Sequence, residues 1–346
     1  MSRPTVNDIA REAGVSLATV DRVLNARPGV REKTISAVNS AISRIGYVRD
    51  VAAANLARGR EYRMVVLLPD TESQFVRTLA EALADAAAAA ATDRIRVEFF
   101  RFPPEDMHAL AAQLAVFDEQ NCSGVALMAP ETPIVRDAVR ALKAKGVPIV
   151  ALVSDLPNTQ RDHYVGIDSY AAGRTAGVLM GRFLGARPLR VMVIANSMLL
   201  RESIERRRGF DEVMQRDFPQ IEVLQTLETH GSPEMLRQVA TNMMASVGQI
   251  GGVYLLGAGH RALSSTLSER GLLCRVVVIG HELTLHTRAA LESGQMDAVI
   301  TQNVGHLARS TLRVLRAKAD HRAIDDSQET LRIEIVIREN LPPVGV

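Results

Sequence analysis

The sequence predicts an all-α helix-turn-helix head followed by an α/β body of two doubly wound parallel-sheet lobes. The first sixty residues contain short amphipathic helices that are separated by glycine-containing turns. From residue 63 onward, buried strands recur about every 25–30 residues with helices between them, and this alternation restarts after residue 165. A chain of 346 residues is too long for a single hydrophobic core and long enough for a small head and a two-lobed body.

The first helix of the head is predicted to begin just after Thr5, which is placed to cap it. Asp8 lies in the first turn, where a carboxylate is favourable to the exposed N–H groups. Gly14 ends this helix, and Ser16 is a second cap for the helix that follows. Two short helices joined by such a tight turn form a helix-turn-helix.

The second helix, residues 17–24, has an inward and an outward face at helical spacing. The inward residues are predicted to be Val20, Val23 and Leu24. The outward residues are predicted to be Leu17, Ala18, Asp21 and Arg22. A third helix is predicted from about Arg31 to Ile45, and its packing face is expected to consist of Ile35, Val38, Ile42 and Ile45.

The net charge of +2 conceals a difference between the head and the body. Residues 1–63 hold 11 Arg and Lys against 6 Asp and Glu, whereas the remainder holds 30 against 33. A basic head on a mildly acidic body is expected where only the head meets a phosphate backbone. An ordinary solvated surface is the alternative, and the charge alone does not decide between the two.

No apolar run approaches the roughly 18–20 residues that a membrane-spanning helix needs, and the N-terminus leads into a polar helix rather than a signal peptide. We therefore expect a cytoplasmic protein without a membrane partner. Cys122 and Cys274 are far apart in sequence, and each lies beside a predicted buried strand. We expect two reduced core thiols, and the cysteine spacing indicates no metal site.

The segment from Val51 to Gly59 has a composition that allows two helical turns. Because so short a helix is marginal in water, we expect this segment to become ordered only when a partner holds it.

Many positions of the head agree at fixed spacing with one known pattern. They are Val6, Asp8, Ile9, Ala10, Ala13, Gly14, Val15, Ser16, Thr19, Val20, Arg22, Val23, Leu24 and Asn25, then Val30, Thr34, Ile45-Gly46-Tyr47 and Leu56-Ala57. This pattern resembles the head of the LacI/GalR family of bacterial repressors.

The resemblance implies that the second helix enters the major groove of DNA. It implies base-edge contacts from Leu17, Ala18 and Arg22. It also implies phosphate contacts from Thr5, Ser16, Thr19 and Asn25. The segment after Tyr47 would form a hinge helix on DNA, and its Leu56 would insert into the minor groove.

The chemistry of these side chains agrees with the implied roles. Leu17 and Ala18 can contact thymine methyl groups but cannot hydrogen-bond a base, whereas Arg22 can bind guanine through two hydrogen bonds. A leucine on a marginal helix suits a wedge that kinks DNA. Asp21 and Asp50 depart from the usual serine and asparagine of the family, so the operator sequence is left open. The alternative for a helix-turn-helix is a role in protein contacts.

The predicted strands of the body fall into two series. They are residues 64–68, 95–100, 124–128 and 148–153, then 189–195, 221–227, 252–256, 276–279 and 297–301. This arrangement resembles the sugar-binding periplasmic protein fold that the same repressor family carries. The resemblance implies lobes that are discontinuous in sequence.

The expected domains are the head at 1–49, a hinge at 50–62, and a ligand-binding and dimerisation domain at 63–346. Lobe 1 is expected at about 63–165 and 303–328, and lobe 2 at about 166–302 and 329–346.

Ligands of open parallel sheets bind beyond the carboxyl ends of the strands, where polar residues of this chain gather. The predicted ligand-binding residues are Asp70, Phe75, Asp155, Asn196, Arg206, His260, Glu282 and Gln302. Arg206, Glu282 and Gln302 match ligand-binding positions of the family, with Glu282 in place of an aspartate. For each polar residue a loop end or helix cap is the alternative, and for Phe75 the alternative is core packing.

Gly257-Ala258-Gly259-His260 stands where the family usually has an Asn-Asp pair. Since glycines let a backbone approach a ligand closely, the ligand need not be the usual hexose or pentose. The same stretch, with Ala262 and with Glu282 about twenty residues on, is also similar to a dinucleotide-binding fingerprint. No nucleophile–base pair accompanies it, so we expect no catalytic residues, no cofactor and no metal.

The predicted function is a ligand-responsive DNA-binding transcriptional regulator, expected to repress an operon of carbohydrate or related small-metabolite catabolism or transport. It is expected to bind a pseudo-palindromic operator as a homodimer. Its effector is expected to be a sugar, a polyol or a sugar acid, and the direction of its effect is left open. The alternatives are a nucleotide- or NAD-binding α/β enzyme and a solute-binding protein without a DNA role.

Overall fold

A computed structural model describes residues 4–24, 28–47 and 61–343. The chain divides into two compact units, residues 1–60 and residues 61–346.

The first unit contains three helices, α1 (Val6–Ala13), α2 (Leu17–Leu24) and α3 (Glu32–Ile45). The fully buried core of this unit consists of Ile9, Ala10, Val20, Val38 and Ala41. Ile42 and Ile45 pack against this core, as predicted. Ile35 is 37% exposed, so its predicted burial is wrong. It lies in the first turn of α3, one turn before the first buried residue of that helix.

The caps of the first two helices follow from local hydrogen bonds. The N–H and the hydroxyl of Thr5 donate to the Asp8 carboxylate over 2.9 and 2.8 Å, which closes the first turn of α1. These bonds hold the pKa of Asp8 below its usual value. Gly14 ends α1 with a left-handed backbone, φ 64°. The Ser16 hydroxyl accepts the N–H of Thr19, which confirms it as the cap of α2.

The second unit begins with a five-stranded parallel sheet, in the order β2-β1-β3-β4-β5. Its strands are β1 (Tyr62–Pro69), β2 (Ile95–Phe102), β3 (Gly124–Leu127), β4 (Ile149–Leu152) and β5 (His163–Val165). The helices between them are α4 (Gln74–Ala89), α5 (Met107–Ala115) and α6 (Pro133–Ala144). We call this part lobe 1.

A six-stranded sheet follows, in the order β11-β10-β9-β8-β6-β7. Its strands are β6 (Arg190–Ala195), β7 (Glu222–Glu228), β8 (Ile250–Leu255), β9 (Val277–His281), β10 (Ala298–Thr301) and β11 (Glu334–Val336). Its helices are α7 (Ser169–Leu184), α8 (Arg201–Asp217), α9 (Pro233–Val247), α10 (His260–Glu269) and α11 (Leu285–Glu292). All pairs are parallel except β10 with β11. We call this part lobe 2.

The chain passes between the lobes three times. It leaves lobe 1 after β5, returns as α12 (Val304–Ala319), which packs on lobe 1 strands, and ends in lobe 2 with β11. A short helix, α13 (Asp326–Glu329), lies before the last crossing and contacts α12.

Apolar side chains cover both faces of each sheet. One core joins α4 and α12 on lobe 1 with α7 and α8 on lobe 2. The opposite face of lobe 1 is covered by α5 and α6, and that of lobe 2 by α9, α10 and α11. Two doubly wound lobes therefore confirm the predicted fold class, and each predicted strand is present within about two residues of its expected ends.

The two cysteines differ in burial. Cys122 is buried, and burial raises the pKa of its thiol to about 11, as expected of a core thiol. Cys274 is exposed, so its predicted core position is wrong. It lies three residues before the start of β9, in the exposed turn after α10, where its φ is 59°.

Among the helices that the structure describes, none is long and apolar enough to cross a bilayer.

Candidate ligand cleft and nucleic-acid interface

The cleft wall of lobe 2 is formed where four parallel strands end. Asn196 follows β6, Gly257 lies two residues after β8, Glu282 follows β9, and Gln302 follows β10. A Cβ atom at Gly257 would lie 3.7 Å from the Asn196 amide, so these two strand ends are adjacent. The shared edge of a parallel sheet thus gathers three of the predicted ligand residues.

Arg206 is the centre of this wall. It lies on α8 and is only 3% exposed. Its guanidinium donates to the Leu256 carbonyl over 2.8 Å and to Glu282 Oε1 over 3.1 Å. Gln302 Nε2 donates to the same carboxylate oxygen over 3.3 Å. The structure therefore brings the predicted residues Arg206, Glu282 and Gln302 into one hydrogen-bonded group.

Close packing between α7 and α8 fixes the position of Arg206. A Cβ atom at Gly173 of α7 would lie 2.0 Å from the Arg206 carbonyl oxygen. A Cβ atom at Gly209 of α8 would lie 2.1 Å from the carbonyl oxygen of Tyr170. Backbone atoms cannot move aside as a flexible side chain can, so both positions require glycine. The two glycines allow the helices to approach so closely that Arg206 reaches the strand ends.

Glu282 has a left-handed backbone, φ 67°, which is uncommon for a residue with a side chain. Its N–H donates to the Ile300 carbonyl and its carbonyl accepts the Thr287 hydroxyl, both over 2.9 Å. Such backbone strain costs of order 1–3 kcal/mol and clusters at functional sites. Burial raises the pKa of the Glu282 carboxyl, while the nearby Arg206 charge and the hydrogen bonds oppose this effect.

Two buried histidines complete the wall of lobe 2. His260 begins α10, and its Nε2 packs closely against Gly280, where a Cβ atom would lie 2.3 Å from it. Burial, and to a smaller extent the charge of His286, lower the pKa of His260 to about 4. His281 Nε2 lies 2.8 Å from the Tyr254 hydroxyl, and burial holds the pKa of His281 well below its usual value. Both rings are therefore neutral at pH 7.

Several buried polar atoms near the strand ends have no hydrogen-bond partner in the described part of the chain. They are Ser154 Oγ, Asn196 Oδ1, Glu202 Oε2, Arg206 Nε, His260 Nε2, His281 Nδ1, Glu282 Oε2 and Gln302 Oε1. Buried polar groups are nearly always paired, because an unpaired one costs about 1–3 kcal/mol. A concentration of unpaired groups at the strand ends therefore indicates a surface that binds a polar molecule.

Glu202 was absent from the sequence-predicted set. It lies on α8 four residues before Arg206, hence on the same helical face, and is 7% exposed. The spacing of four residues from Arg206 was the sequence signal that could have identified Glu202. However, an acidic residue in the first turn of a helix is equally typical of a favourable interaction with the helix dipole.

The predicted residues of lobe 1 have different surroundings. Asp70 follows β1 and is exposed, and Phe75 on α4 is half-buried against the main core. The carboxylate of Asp155 pairs with both Nε and Nη2 of Arg161, the latter over 2.7 Å. It also accepts the N–H of Leu156 over 2.7 Å. Asp155 thus has its hydrogen-bonding capacity largely occupied within lobe 1.

A strained turn lies at the end of β4 in lobe 1. Val153 has φ 61°, which is a true outlier for a β-branched residue. The N–H of Ser154 donates to the Leu152 carbonyl across this turn, and the Tyr164 hydroxyl lies 2.9 Å from the Val153 carbonyl oxygen. This turn places the buried Ser154 hydroxyl at the strand end.

One hydrogen bond joins the two lobes near these strand ends. The N–H of His286, at the start of α11, donates to Gln74 Oε1, at the start of α4, over 3.3 Å. His286 also contacts the Arg261 guanidinium.

The outward face of α2 forms the candidate nucleic-acid interface. Leu17 is 50% exposed, and Ala18 and Arg22 are also exposed. A shallow concavity beside this face is lined by Val15, Ser16, Thr19, Arg22, Gly29, Val30, Arg31 and Thr34. Thr5 is exposed at the start of α1. The predicted contacts Asn25 and Leu56 lie outside the described residues.

Comparisons with known proteins agree with this division of the chain. The family described as bacterial regulatory proteins, lacI family, matches residues 5–50, and the periplasmic binding protein domain matches residues 64–323. The chain belongs to the lacI family of bacterial regulatory proteins, and its body is a periplasmic binding protein domain. The predicted resemblance is therefore confirmed.

Two relatives of this lacI-family chain are regulators. Catabolite control protein A of Priestia megaterium is 30% identical over 164 residues, which is 47% of each chain. The alignment thus spans about half of that protein. The HTH-type transcriptional regulator GntR of Pseudomonas aeruginosa is 27% identical over 256 residues, or 73% of this chain and 71% of that protein.

The fold of the body also has solved relatives. The glucose-galactose binding protein GanP of Geobacillus stearothermophilus superimposes with a TM-score of 0.73 at 16% identity. The match covers 82% of this lacI-family chain and 100% of GanP, and at this identity it concerns the fold alone.

Proposed function

We propose that this chain is a DNA-binding transcriptional regulator whose operator affinity is controlled by a small polar effector in the cleft between the lobes. The observation that carries the proposal is the group of unpaired buried polar atoms around Arg206 and Glu282, in a chain whose head presents the exposed face of α2. Donors and acceptors arranged at strand ends suit the hydroxyl groups of a sugar, a polyol or a sugar acid.

The proposed mechanism links the cleft to the head through lobe closure. An effector that hydrogen-bonds to strand ends of both lobes stabilises one angle between them, and this angle sets how the two hinge segments of a homodimer are held. Such coupling between sites typically amounts to about 1–3 kcal/mol. The hinge at 50–62, including Leu56, falls mostly outside the described residues, and its role rests on the sequence alone.

The domain division belongs to this proposal. The head, residues 1–49, reads a near-palindromic operator as part of a homodimer, since two heads must contact two half-sites. The body, residues 63–346, binds the effector and holds the dimer together. The protein acts in the cytoplasm, where DNA is accessible, and the regulated genes serve the catabolism or transport of the effector.

The role of the head is tested with Arg22. Arg22→Ala should lower the affinity for a near-palindromic operator selected in vitro by about 1–3 kcal/mol, and should relax the preference for guanine at one position. Fluorescence anisotropy with the selected DNA and with single-base variants measures both effects. Arg11→Ala is the matched control, because Arg11 is also exposed but pairs with Asp8 on α1. Equal losses for the two variants would contradict the assignment of α2 as the reading helix.

The effector is sought by thermal shift of the full chain with sugars, polyols and sugar acids. NAD and NADP are included, because Gly257 and Gly259 also allow a dinucleotide-binding interpretation. The structure also explains why residue 259 is a glycine without any bound dinucleotide. Gly259 is the N-cap of α10 with φ 129°, and a Cβ atom there would lie 2.6 Å from the Leu236 side chain. Stabilisation by a dinucleotide and by no sugar-like compound would favour the enzyme alternative.

A further inference from the structure

In the part of the chain that the structure describes, no cation pairs with the buried Glu202 carboxylate of the cleft wall. Glu202 is 7% exposed, and its Oε2 has no hydrogen-bond partner among the described residues. The neighbouring arginines are engaged elsewhere. Arg206 donates to Glu282 over 3.1 Å, and Arg201 donates to Glu205 over 2.6 Å.

Glu202 lies on the face of α8 that carries Arg206. It precedes Arg206 by one helical turn on α8, so it extends the same wall of lobe 2. The pKa of the Tyr164 hydroxyl in lobe 1 is raised first by burial and next by the charge of Glu202. The charge of Glu202 also raises the pKa of Glu282. The charge of Glu202 thus acts on groups of both lobes, Tyr164 of lobe 1 and Glu282 of lobe 2.

The wall of lobe 2 contains more buried carboxyl groups than buried cations. It holds the carboxylates of Glu202 and Glu282 against the single guanidinium of Arg206, and both histidines are neutral at pH 7. On lobe 1, Arg161 is paired with Asp155. An uncompensated buried charge is costly, and a ligand that supplies the opposite charge removes that cost.

The unpaired atoms show the same excess of acceptors. Asn196 Oδ1, Glu202 Oε2, Glu282 Oε2 and Gln302 Oε1 accept hydrogen bonds, whereas Arg206 Nε is the one unpaired atom in the group that can only donate. A carboxylate or phosphate on the ligand would add acceptors and negative charge to this wall. A protonated amine would bring three donors and one positive charge.

We propose that the effector carries a protonated amino group among its hydroxyl groups, as an amino sugar or an aminated cyclitol does, and that Glu202 is the counter-ion of that amine. This inference rests on the proposed function, because it concerns the same cleft. The sequence alone allowed a neutral sugar, a polyol or a sugar acid. The inference instead predicts that an amine-bearing compound binds more tightly than any of these.

The test compares matched compounds on the full chain by thermal shift and isothermal titration calorimetry. The series are D-glucose, D-glucosamine, N-acetyl-D-glucosamine and D-gluconate, the same four forms of D-galactose, and myo-inositol with an amino-deoxy-inositol. The parent hexose, its amine and its N-acetyl form differ only at C2 and so isolate the effect of the amine charge, whereas the aldonate, which is oxidised at C1 and open-chain, tests a negative charge. An amine-bearing compound should bind at least about tenfold more tightly than its hydroxyl and N-acetyl counterparts, equivalent to about 1.4 kcal/mol.

Variants assign that preference to Glu202. Glu202→Gln keeps the shape and removes the charge, so the preference for the amine should disappear. Glu212→Gln is the control, since it makes the same change on the same helix at a half-exposed carboxylate. That variant should keep the preference. A thermal melt of each variant establishes that it is folded.

The proposal is overturned by any of three results. The first is that no amine-bearing compound binds. The second is that a neutral or acidic counterpart binds as tightly as the amine or more tightly. The third is that the preference for the amine persists in Glu202→Gln. Operator binding distinguishes this failure from failure of the proposed function. If a neutral sugar alters operator affinity, the function stands and the amine inference fails. If an amine binds and operator affinity is unchanged, the amine inference stands and the function fails.

Discussion

The two walls of the cleft differ in how far their polar groups are already satisfied. In lobe 1, Asp155 is paired with Arg161, Asp70 is exposed, and Ser154 Oγ is the unpaired buried atom at the strand ends. In lobe 2, Arg206 is anchored but keeps an unpaired Nε, and most of the other unpaired polar atoms surround it. The unpaired buried polar atoms near the strand ends are therefore concentrated in one lobe.

This difference suggests a division of labour during binding. In the proposed function, the wall of lobe 2 provides the initial binding surface, because its unpaired donors and acceptors are oriented before the ligand arrives. In the function proposed above, lobe 1 closes over the ligand and contributes Ser154 and the strained turn at Val153. The hydrogen bond from His286 to Gln74 links the two lobes, so the same proposal expects it to change when the angle between the lobes changes.

The largest expected effect follows from breaking the anchored pair of lobe 2. Arg206→Met leaves the buried Glu282 carboxylate without its cation, which typically costs about 3–5 kcal/mol of unfolding free energy. Because protonation of Glu282 relieves this cost, and burial raises its pKa, the loss should be larger at pH 8 than at pH 5. Urea unfolding at both values of pH measures this loss.

Arg201→Met is the matched control for that variant. It lies on the same helix and pairs with Glu205, but both side chains are partly exposed, so its loss should not exceed about 1 kcal/mol. Comparable losses of unfolding free energy in the two variants would show that the buried Arg206–Glu282 pair matters no more than a partly exposed ion pair.

A smaller effect concerns pH and the buried histidine of lobe 2. The folded pKa of His260 is about 4, below its unfolded value of about 6.5, so the unfolded chain binds more protons between these values. The stability from keeping His260 neutral is present above pH 6.5 and is lost as the pH falls toward 4. From pH 7.5 to pH 5, this single group should remove about 2 kcal/mol of unfolding free energy.

Urea unfolding of His260→Gln isolates this contribution. The variant should lose about 2 kcal/mol less than the wild type over the same pH change, whereas the control His108→Gln, at an exposed position, should behave as the wild type. The raised pKa of Glu282 acts in the opposite direction in all three proteins and cancels in the comparison. A pH dependence that His260→Gln leaves unchanged would contradict the assignment.

The smallest expected effect is in lobe 1. Asp155→Asn breaks a partly buried pair with Arg161, and should cost no more than about 1 kcal/mol of unfolding free energy. Because the carboxylate is already engaged within its own lobe, effector affinity should change little by calorimetry. A loss of tenfold or more in affinity, about 1.4 kcal/mol, would mean that lobe 1 recognises the effector as directly as lobe 2 does.

Most of the fold could be predicted from the sequence, because apolar runs and helix-ending glycines are both local sequence features. Apolar runs such as 64–68 and 252–256 mark central strands that helices cover on both faces. Glycines at the ends of helices fix the turns of the head. The errors arose where burial depends on distant packing. Ile35 continues the helical pattern of α3 but extends beyond the small core, and Cys274 adjoins a strand without entering it.

The site was predicted less completely, since it depends on which polar groups already have partners. Arg206, Glu282 and Gln302 were located through a resemblance, and the structure joins them by hydrogen bonds. Asp155 satisfies the same strand-end rule, but its engagement by Arg161 depends on a loop whose course the sequence does not reveal. Glu202 precedes Arg206 by one turn, and only the surrounding burial distinguishes it from an ordinary first-turn acid.

The central claim is that ligand binding at the wall of lobe 2 controls the affinity of the head for operator DNA. Its most direct test is operator affinity, measured by fluorescence anisotropy with and without a saturating amount of the compound that stabilises the chain most strongly. In the wild type the compound should change operator affinity by roughly 5–150-fold, and in folded Arg206→Met it should change it by less than about twofold. An unchanged operator affinity in the wild type, or an equal response in the variant, would contradict the account.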